Sequence, residues 1–250
     1  MSDRRKVTSP VIKNKKEALL EDMKNIFLFY QAIGYEHLFI APDKSPSILM
    51  TPLKGAHARS RIMKENELKA LKNIEMSDCK RCKLANRRTH IVFGEGNPNA
   101  MLMFIGEAPG REEDIQGRPF VGEAGMLLTR LIEKMGFKRK DVYITNIVKC
   151  RPPMNRDPEL DEIDICKRFI ERQIEIIEPK IIMSLGRIAA QTLIGNTKIK
   201  ITAIRGKFFK YKGIPLMPTF HPAYLIRNPK DKWLTWDDAQ KVVGKLKRKI

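Results

Sequence analysis

From about Asn66 onward the chain alternates short apolar runs with longer amphipathic stretches, and that alternation leaves few folds open. Apolar runs of this kind read as strands buried on both faces, and strands separated by helices pair in parallel. The strand candidates are Leu102 to Ile105, Val142 to Thr145, Lys180 to Ser184 and Ile214 to Met217. Helical spacing runs over Ala124 to Met135, Pro158 to Ile177 and Arg187 to Ile194, with a last helix from about Thr235 to Leu246. Asp157 followed by Pro158 predicts a helix start, an N-cap with proline in the first turn, and Gly136 predicts a stop. The fold class that follows is α/β, a three-layer α/β/α sandwich around a central, mostly parallel four-stranded sheet.

The first 65 or so residues differ in character. Residues 4 to 16 are basic and contain proline, while Leu19, Leu20, Met23, Ile26, Phe27 and Tyr30 recur at helical spacing and predict an amphipathic helix between Lys15 and Gly34. A stretch bearing Pro and Ser, from Ala41 to Pro52, reads as a linker or irregular wrap. The division expected is a basic, helical extension over 1–65 and a principal domain over 66–250.

All four cysteines fall into one pattern: Cys79 and Cys82 as a CxxC pair, then Cys150 and Cys166. The sequence carries no basic-then-apolar leader and no apolar run long enough to span a bilayer, so it reads as cytoplasmic, where disulfides are disfavoured. Four thiolates converging from three segments suit a soft metal centre. On spacing alone, zinc and an iron-sulfur cluster stand near parity. The formal charge of +19, from 48 Lys and Arg against 29 Asp and Glu, points to a polyanionic partner, with nucleic acid the natural candidate.

In an open α/β sheet, ligands bind beyond the carboxyl ends of the strands. The residues that follow each strand candidate are Gly106-Glu107-Ala108-Pro109-Gly110 with Glu112-Glu113-Asp114, then Asn146 and Cys150, then Leu185-Gly186, then Thr219-Phe220-His221-Pro222-Ala223-Tyr224. Three further blocks belong with them: Val92-Phe93-Gly94-Glu95-Gly96-Asn97-Pro98, Gly117-Arg118-Pro119-Phe120-Val121-Gly122, and Tyr143-Ile144-Thr145-Asn146-Ile147-Val148-Lys149-Cys150-Arg151-Pro152-Pro153. With these blocks in order over about residues 66 to 245, the chain resembles the family 4 uracil-DNA glycosylases, the iron-sulfur branch of the uracil-DNA glycosylase superfamily.

The resemblance implies a [4Fe-4S] cluster on Cys79, Cys82, Cys150 and Cys166, and a monofunctional repair enzyme that flips uracil out of single- or double-stranded DNA. The enzyme hydrolyses the N-glycosidic bond, releasing uracil and leaving an abasic site. Phe120 is similar to the family's stacking ring. Asn146 matches the residue that reads the uracil edge, where an amide offers both a donor and an acceptor. His221 looks like the histidine that donates to uracil O2 as the base leaves as an anion. The best-known superfamily members place an aspartate where this chain has Ala108, so Glu107 is the expected water-orienting carboxylate, assisted by backbone groups from Gly106 to Ala108. Glu113, or Glu107 itself, would crowd the uracil C5 position against thymine. Arg81 and Arg88 fit phosphate contacts, and Tyr224 or Leu225 would fill the gap left by the flipped base. A monomer without membrane association, nucleoid-associated in the cytoplasm, is expected, with a repair partner for the N-terminal extension.

Two other functions are weighed against this. A non-catalytic iron-sulfur module that binds nucleic acid would fit the charge and the cysteines but would leave Asn146 and His221 without a task. A zinc deaminase needs a His-x-Glu, and the sequence contains none. The covalent branch of the superfamily uses a basic loop ending in histidine before the third cysteine, which Tyr143 to Lys149 lacks.

Overall fold

The four apolar runs form the middle of a single sheet. A computed structural model of the protein describes residues 35–40, 48–52 and 60–247. The chain divides into two compact units, Met1–Glu67 and Leu68–Ile250.

In the first unit, β1 (Tyr35–Ile40) pairs antiparallel with β2 (Ile48–Pro52). The stretch from Ala41 to Pro52, expected as a linker, therefore ends in a strand; its Ile48-Leu49-Met50-Thr51 run is β-prone despite the flanking prolines. The helix expected between Lys15 and Gly34, and the basic residues Arg4, Arg5 and Lys6, lie outside the described residues.

Helix α1 (Arg61–Ala70) continues into one π-helical turn over Leu71–Glu75. The elements of the second unit are β3 (Glu95–Gly96), β4 (Leu102–Gly106), α2 (Arg111–Gln116), α3 (Glu123–Lys134), β5 (Tyr143–Asn146), α4 (Leu160–Ile177), β6 (Ile181–Leu185), α5 (Arg187–Ile194), α6 (Ile201–Ile204), β7 (Phe209–Tyr211), β8 (Ile214–Thr219), α7 (Pro222–Arg227) and α8 (Lys232–Lys247). Their strand order is β3-β5-β4-β6-β8-β7. The inner four, β5, β4, β6 and β8, run parallel, while β3 and β7 close the edges antiparallel.

The sheet thus has six strands rather than four. The expected four are its parallel centre, and the two edge strands escape a search for apolar runs because β3 is only two residues long and β7 carries a lysine between two aromatics. The layering follows from side-chain alternation: Met103 and Ile105 enter a core with Phe169, Ile170 and Ile188 on one face, whereas Leu102 and Phe104 enter a core with Leu128, Ile132 and Val242 on the other. Since β5 and β6 flank β4 on opposite sides, the topology switches at β4, and the loop after Gly106 lies at that switch point.

Candidate active site

The site is built where the parallel strands end. Gly106, the last residue of β4, pairs in register with Asn146, the last of β5. The next amides, of Ile147 and Val148, donate to the carbonyls of Gly106 and Glu107 at 2.9 and 3.1 Å. A cavity of about 370 Å3 opens there, lined among others by Glu107, Glu113, Phe120, Asn146, Asp157 and His221. That volume lies within the ~300–1,000 Å3 range of small-molecule pockets. Phe120, Asn146 and His221, drawn from three separate segments, share one space.

Asn146 is 1% exposed, and neither its Nδ2 nor its Oδ1 has a hydrogen-bond partner. An orphaned buried amide costs roughly 1–3 kcal/mol, and such a cost is tolerable where a ligand supplies the missing partners. Its carbonyl is clamped by Lys149, whose fully buried Nζ donates to Asn146 O at 2.7 Å, Thr145 Oγ1 at 2.6 Å and Gln173 Oε1 at 2.7 Å. The side chain waits for a partner while its backbone is fixed.

Gly106 makes room for this amide. A Cβ at that position would lie 2.3 Å from Asn146 Oδ1 and 2.5 Å from the Phe120 ring. Phe120 itself adopts φ +51°, a left-handed conformation unusual for a bulky residue. Its surroundings enforce it: Glu113 Oε1 accepts from the amides of Val121 and Gly122 at 2.8 and 3.0 Å, and Arg139 donates to the carbonyl of Pro119 at 2.6 Å. The other Glu113 oxygen accepts from Gly110 N at 3.1 Å. Both oxygens of Glu113 accept from backbone amides and tie the Phe120 loop to the start of α2, while the residue also lines the cavity.

His221 precedes α7, and its Nδ1 accepts from Ala223 N at 3.2 Å. That bond fixes the tautomer, since an accepting Nδ1 leaves the proton on Nε2. Burial pulls the imidazole down to about 4, so it stays neutral at physiological pH. Its ring centroid lies 5.8 Å from that of Phe120. Gly186, at φ +91°, allows this approach, as a Cβ there would lie 2.9 Å from His221 Cβ.

Burial, reinforced by the Asp157 carboxylate and opposed by Arg187, pushes Glu107 up to about 7. Asp157 was expected to cap a helix. The N-cap is Glu159, whose amide donates to Glu162 Oε2 at 2.8 Å, and α4 begins only at Leu160. Asp157 is thereby free to pair with Arg187, the first residue of α5. Sequence reasoning missed Asp157, Arg187, Lys149 and Gln173 as members of the site's framework; the Asp-Pro pair looked like a simple helix start, and nothing in spacing brings Gln173 beneath β5.

The four cysteines line a second, small cavity of about 20 Å3 together with Arg88 and Lys149. Burial pushes the thiols of Cys150 and Cys166 up to about 11 and about 12. Bound cationic metal would reverse that preference and hold them as thiolates. Among the described residues no three His, Cys, Asp or Glu side chains gather tightly enough to hold a single ion.

Several expected DNA contacts are placed differently. Arg88 turns inward, donating to Cys79 O at 2.6 Å and lying 3.6 Å from Cys150 Sγ. Arg81 lies 3.5 Å from Cys79 Sγ and sits over the Phe169 ring. Arg88 lines the cysteine cavity, whereas Arg81 beside it is exposed. Leu225 is 4% exposed and does not reach the surface as a wedge, because it packs beneath α7. Tyr224 does line the main cavity, with its hydroxyl donating to Asp231 at 2.6 Å.

Residues 93–242 match the model of the uracil DNA glycosylase superfamily. The chain is similar to the type-4 uracil-DNA glycosylase of Sulfurisphaera tokodaii, with 49% identity over 176 residues, 67% of this chain and 80% of that one. It is also similar to the type-4 enzyme of Thermotoga maritima, with 43% identity over 185 residues, 73% of this chain and 96% of that one. The likeness to the type-5 uracil-DNA glycosylase of Thermus thermophilus is more distant, 32% over 127 residues covering 45% and 58%.

Proposed function

From the premise that this chain belongs to the uracil DNA glycosylase superfamily, we propose that it excises uracil from DNA by hydrolysing the N-glycosidic bond at the cavity beyond β4 and β5. The observation that carries the reading is the Asn146 amide, buried with both polar atoms unpartnered in the space that Phe120 and His221 also line. An extruded uracil offers the amide a matching acceptor and donor, and offers Phe120 a flat face.

The chemistry follows from the side chains. The bond from C1′ to N1 breaks, and uracil departs as an anion. His221, neutral with its proton on Nε2, donates a hydrogen bond to the charge that develops on the base. Glu107 orients water toward C1′ and takes its proton as the new C–O bond forms. Tyr224, at the cavity wall, is the better candidate to fill the gap in the duplex, in place of Leu225.

Cys79, Cys82, Cys150 and Cys166 would hold a [4Fe-4S] cluster, which contributes a cross-link and no electrons, since the hydrolysis transfers none. Convergence of four thiols on one cavity, in a chain similar to type-4 uracil-DNA glycosylases, supports the cluster. Residues 66–250 constitute the glycosylase domain in this reading, acting as a monomer on cytoplasmic, nucleoid DNA, with 1–65 as an appendage for DNA or a repair partner. No helix among the described residues is long and apolar enough to cross a membrane.

A uracil-bearing oligonucleotide, treated with the protein and then with hot alkali, tests the activity: cleavage at the uracil position is expected. Asn146→Asp, which replaces the amide donor with an acceptor, should lower uracil release by about a hundredfold or more. Binding of the oligonucleotide without abasic sites would favour a non-catalytic nucleic-acid-binding module instead.

A further inference from the structure

The rim of the main cavity carries an apolar side chain standing in water. Between β5 and α4 the chain passes through Pro152, Asn155, Arg156 and Asp157, all of which line the cavity. Met154, within the same loop, is 92% exposed. Its backbone is left-handed, at φ 54° and ψ 20°, and Asn155 follows it at φ 54°. Asparagine tolerates this region, whereas a long apolar side chain there is an outlier.

Neighbouring bonds hold the turn in place. Arg151 Nε donates to Asn155 Oδ1 at 2.7 Å, and the amides of Asn155 and Arg156 donate to the carbonyls of Pro152 and Pro153, each at 3.1 Å. Arg156 is anchored in turn on Glu162, at 2.7 and 2.8 Å. Met154 is therefore presented to solvent from a fixed, strained turn, at a conformational cost that folding alone does not require.

We propose, on the reading of that cavity as the uracil site, that Met154 is a DNA wedge: its side chain enters the base stack beside the nucleotide that is drawn into the cavity, and so holds that nucleotide extruded. A base that reaches Asn146 brings its strand across the cavity mouth, of which the loop from Pro152 to Asp157 is part. An apolar side chain standing on that rim is then covered by the neighbouring bases, and methionine is among the residues that unstack base steps in this way. Arg227, exposed on α7, lines the same cavity and supplies a cation for the strand's phosphates. Tyr224 also stands on α7, so it and Met154 approach the strand from different elements.

The test is single-turnover uracil release from one oligonucleotide, presented as a duplex and as a single strand, with Met154→Asn and Met154→Leu beside wild type. Asparagine suits the left-handed backbone and removes the apolar contact, while leucine keeps it. Met154→Asn should lower release from the duplex about tenfold and change release from the single strand little, because the wedge works against paired, stacked bases. Its melting temperature should not fall below that of wild type, since the substitution relieves the turn. Met154→Leu should excise from both substrates nearly as wild type does. A fluorescent adenine analogue that brightens when unstacked, placed beside an abasic site in a duplex, reads the wedge without chemistry: wild type should raise its emission, and Met154→Asn should raise it less.

If Met154→Asn releases uracil from the duplex as fast as wild type, or loses rate equally on both substrates, Met154 is no wedge. A Met154→Leu variant that falls as far as Met154→Asn overturns the proposal as well. A wild type that releases uracil from neither substrate overturns the reading of the cavity instead, and the emission beside the abasic site then still decides whether Met154 enters the stack.

Discussion

The contacts around Asn146 depend on the absence of a methyl group one strand away. A Cβ on Gly106 would meet both Asn146 Oδ1 and the Phe120 ring at distances no real packing allows. Neither neighbour can yield easily, since the Asn146 backbone is held by Lys149 and the Phe120 loop by Glu113. Gly106→Ala is therefore expected to displace the amide or the ring by a substantial fraction of an ångström and to lower kcat/KM for uracil release by about a hundredfold. Affinity for abasic DNA, which presents no base to the pocket, should change little, and gel-shift titration beside the excision assay separates the two effects. The identities of Phe120, Asn146 and His221 as pocket residues were legible in the sequence because each sits within a block that carries the family resemblance. Asp157 was not, for a local reason: Asp-Pro satisfies the rule for a helix start, and only Glu159 and Glu162 capping the helix two residues later releases Asp157 to face Arg187. Leu225 shows the converse error, since its place in a motif says nothing about which way α7 turns it.

At the level of elements, the site's precision comes from how strand ends are anchored from outside the sheet. Helix α8 carries Asp238, fully buried, whose Oδ2 accepts from Thr219 Oγ1 at 2.7 Å and whose carboxylate pairs with Arg205. Thr219 is the last residue of β8, two before His221, so α8 holds the strand end from which the histidine projects. Arg205 also donates to Leu234 O at 2.6 Å and is only 15% exposed. Asp238→Ala would leave that guanidinium and the Thr219 hydroxyl without their partner, at an expected cost of about 3–5 kcal/mol, measurable by denaturant unfolding. The parallel centre of the sheet was legible because its strands are buried on both faces and so are apolar along their whole length. The edge strands left no such mark. Glu95 in β3 instead faces Arg118 and Arg139, with contacts of 2.8 and 3.0 Å, a pairing no periodicity predicts.

At the scale of the whole molecule, the cysteines join parts of the chain that the sheet alone does not join. Cys79 and Cys82 follow the turn that ends α1, Cys150 lies just beyond β5, and Cys166 sits within α4. Around them two cationic side chains are drawn inward: Arg88, bonded to Cys79 O, and Lys149, which also clamps Asn146. Buried cations are costly without negative charge nearby, and a thiolate-ligated cluster would supply it. Remove one ligand and two things change together. The segment from Met76 to Arg88 keeps only the packing of Met76 and Leu84 to hold it to the core, and Arg88 and Lys149 are left beside neutral thiols. Cys82→Ala is accordingly expected to abolish the brown absorption of an iron-sulfur centre and to destabilise the protein by an amount on the order of 4 kcal/mol. Most of the two cores flanking the sheet lies outside the segment the cysteines tether, so a lowered, still cooperative transition is expected rather than an unfolded chain. Visible absorption and thermal melting followed by circular dichroism check both halves, and a colourless variant that melts with the wild type would remove the cross-linking role.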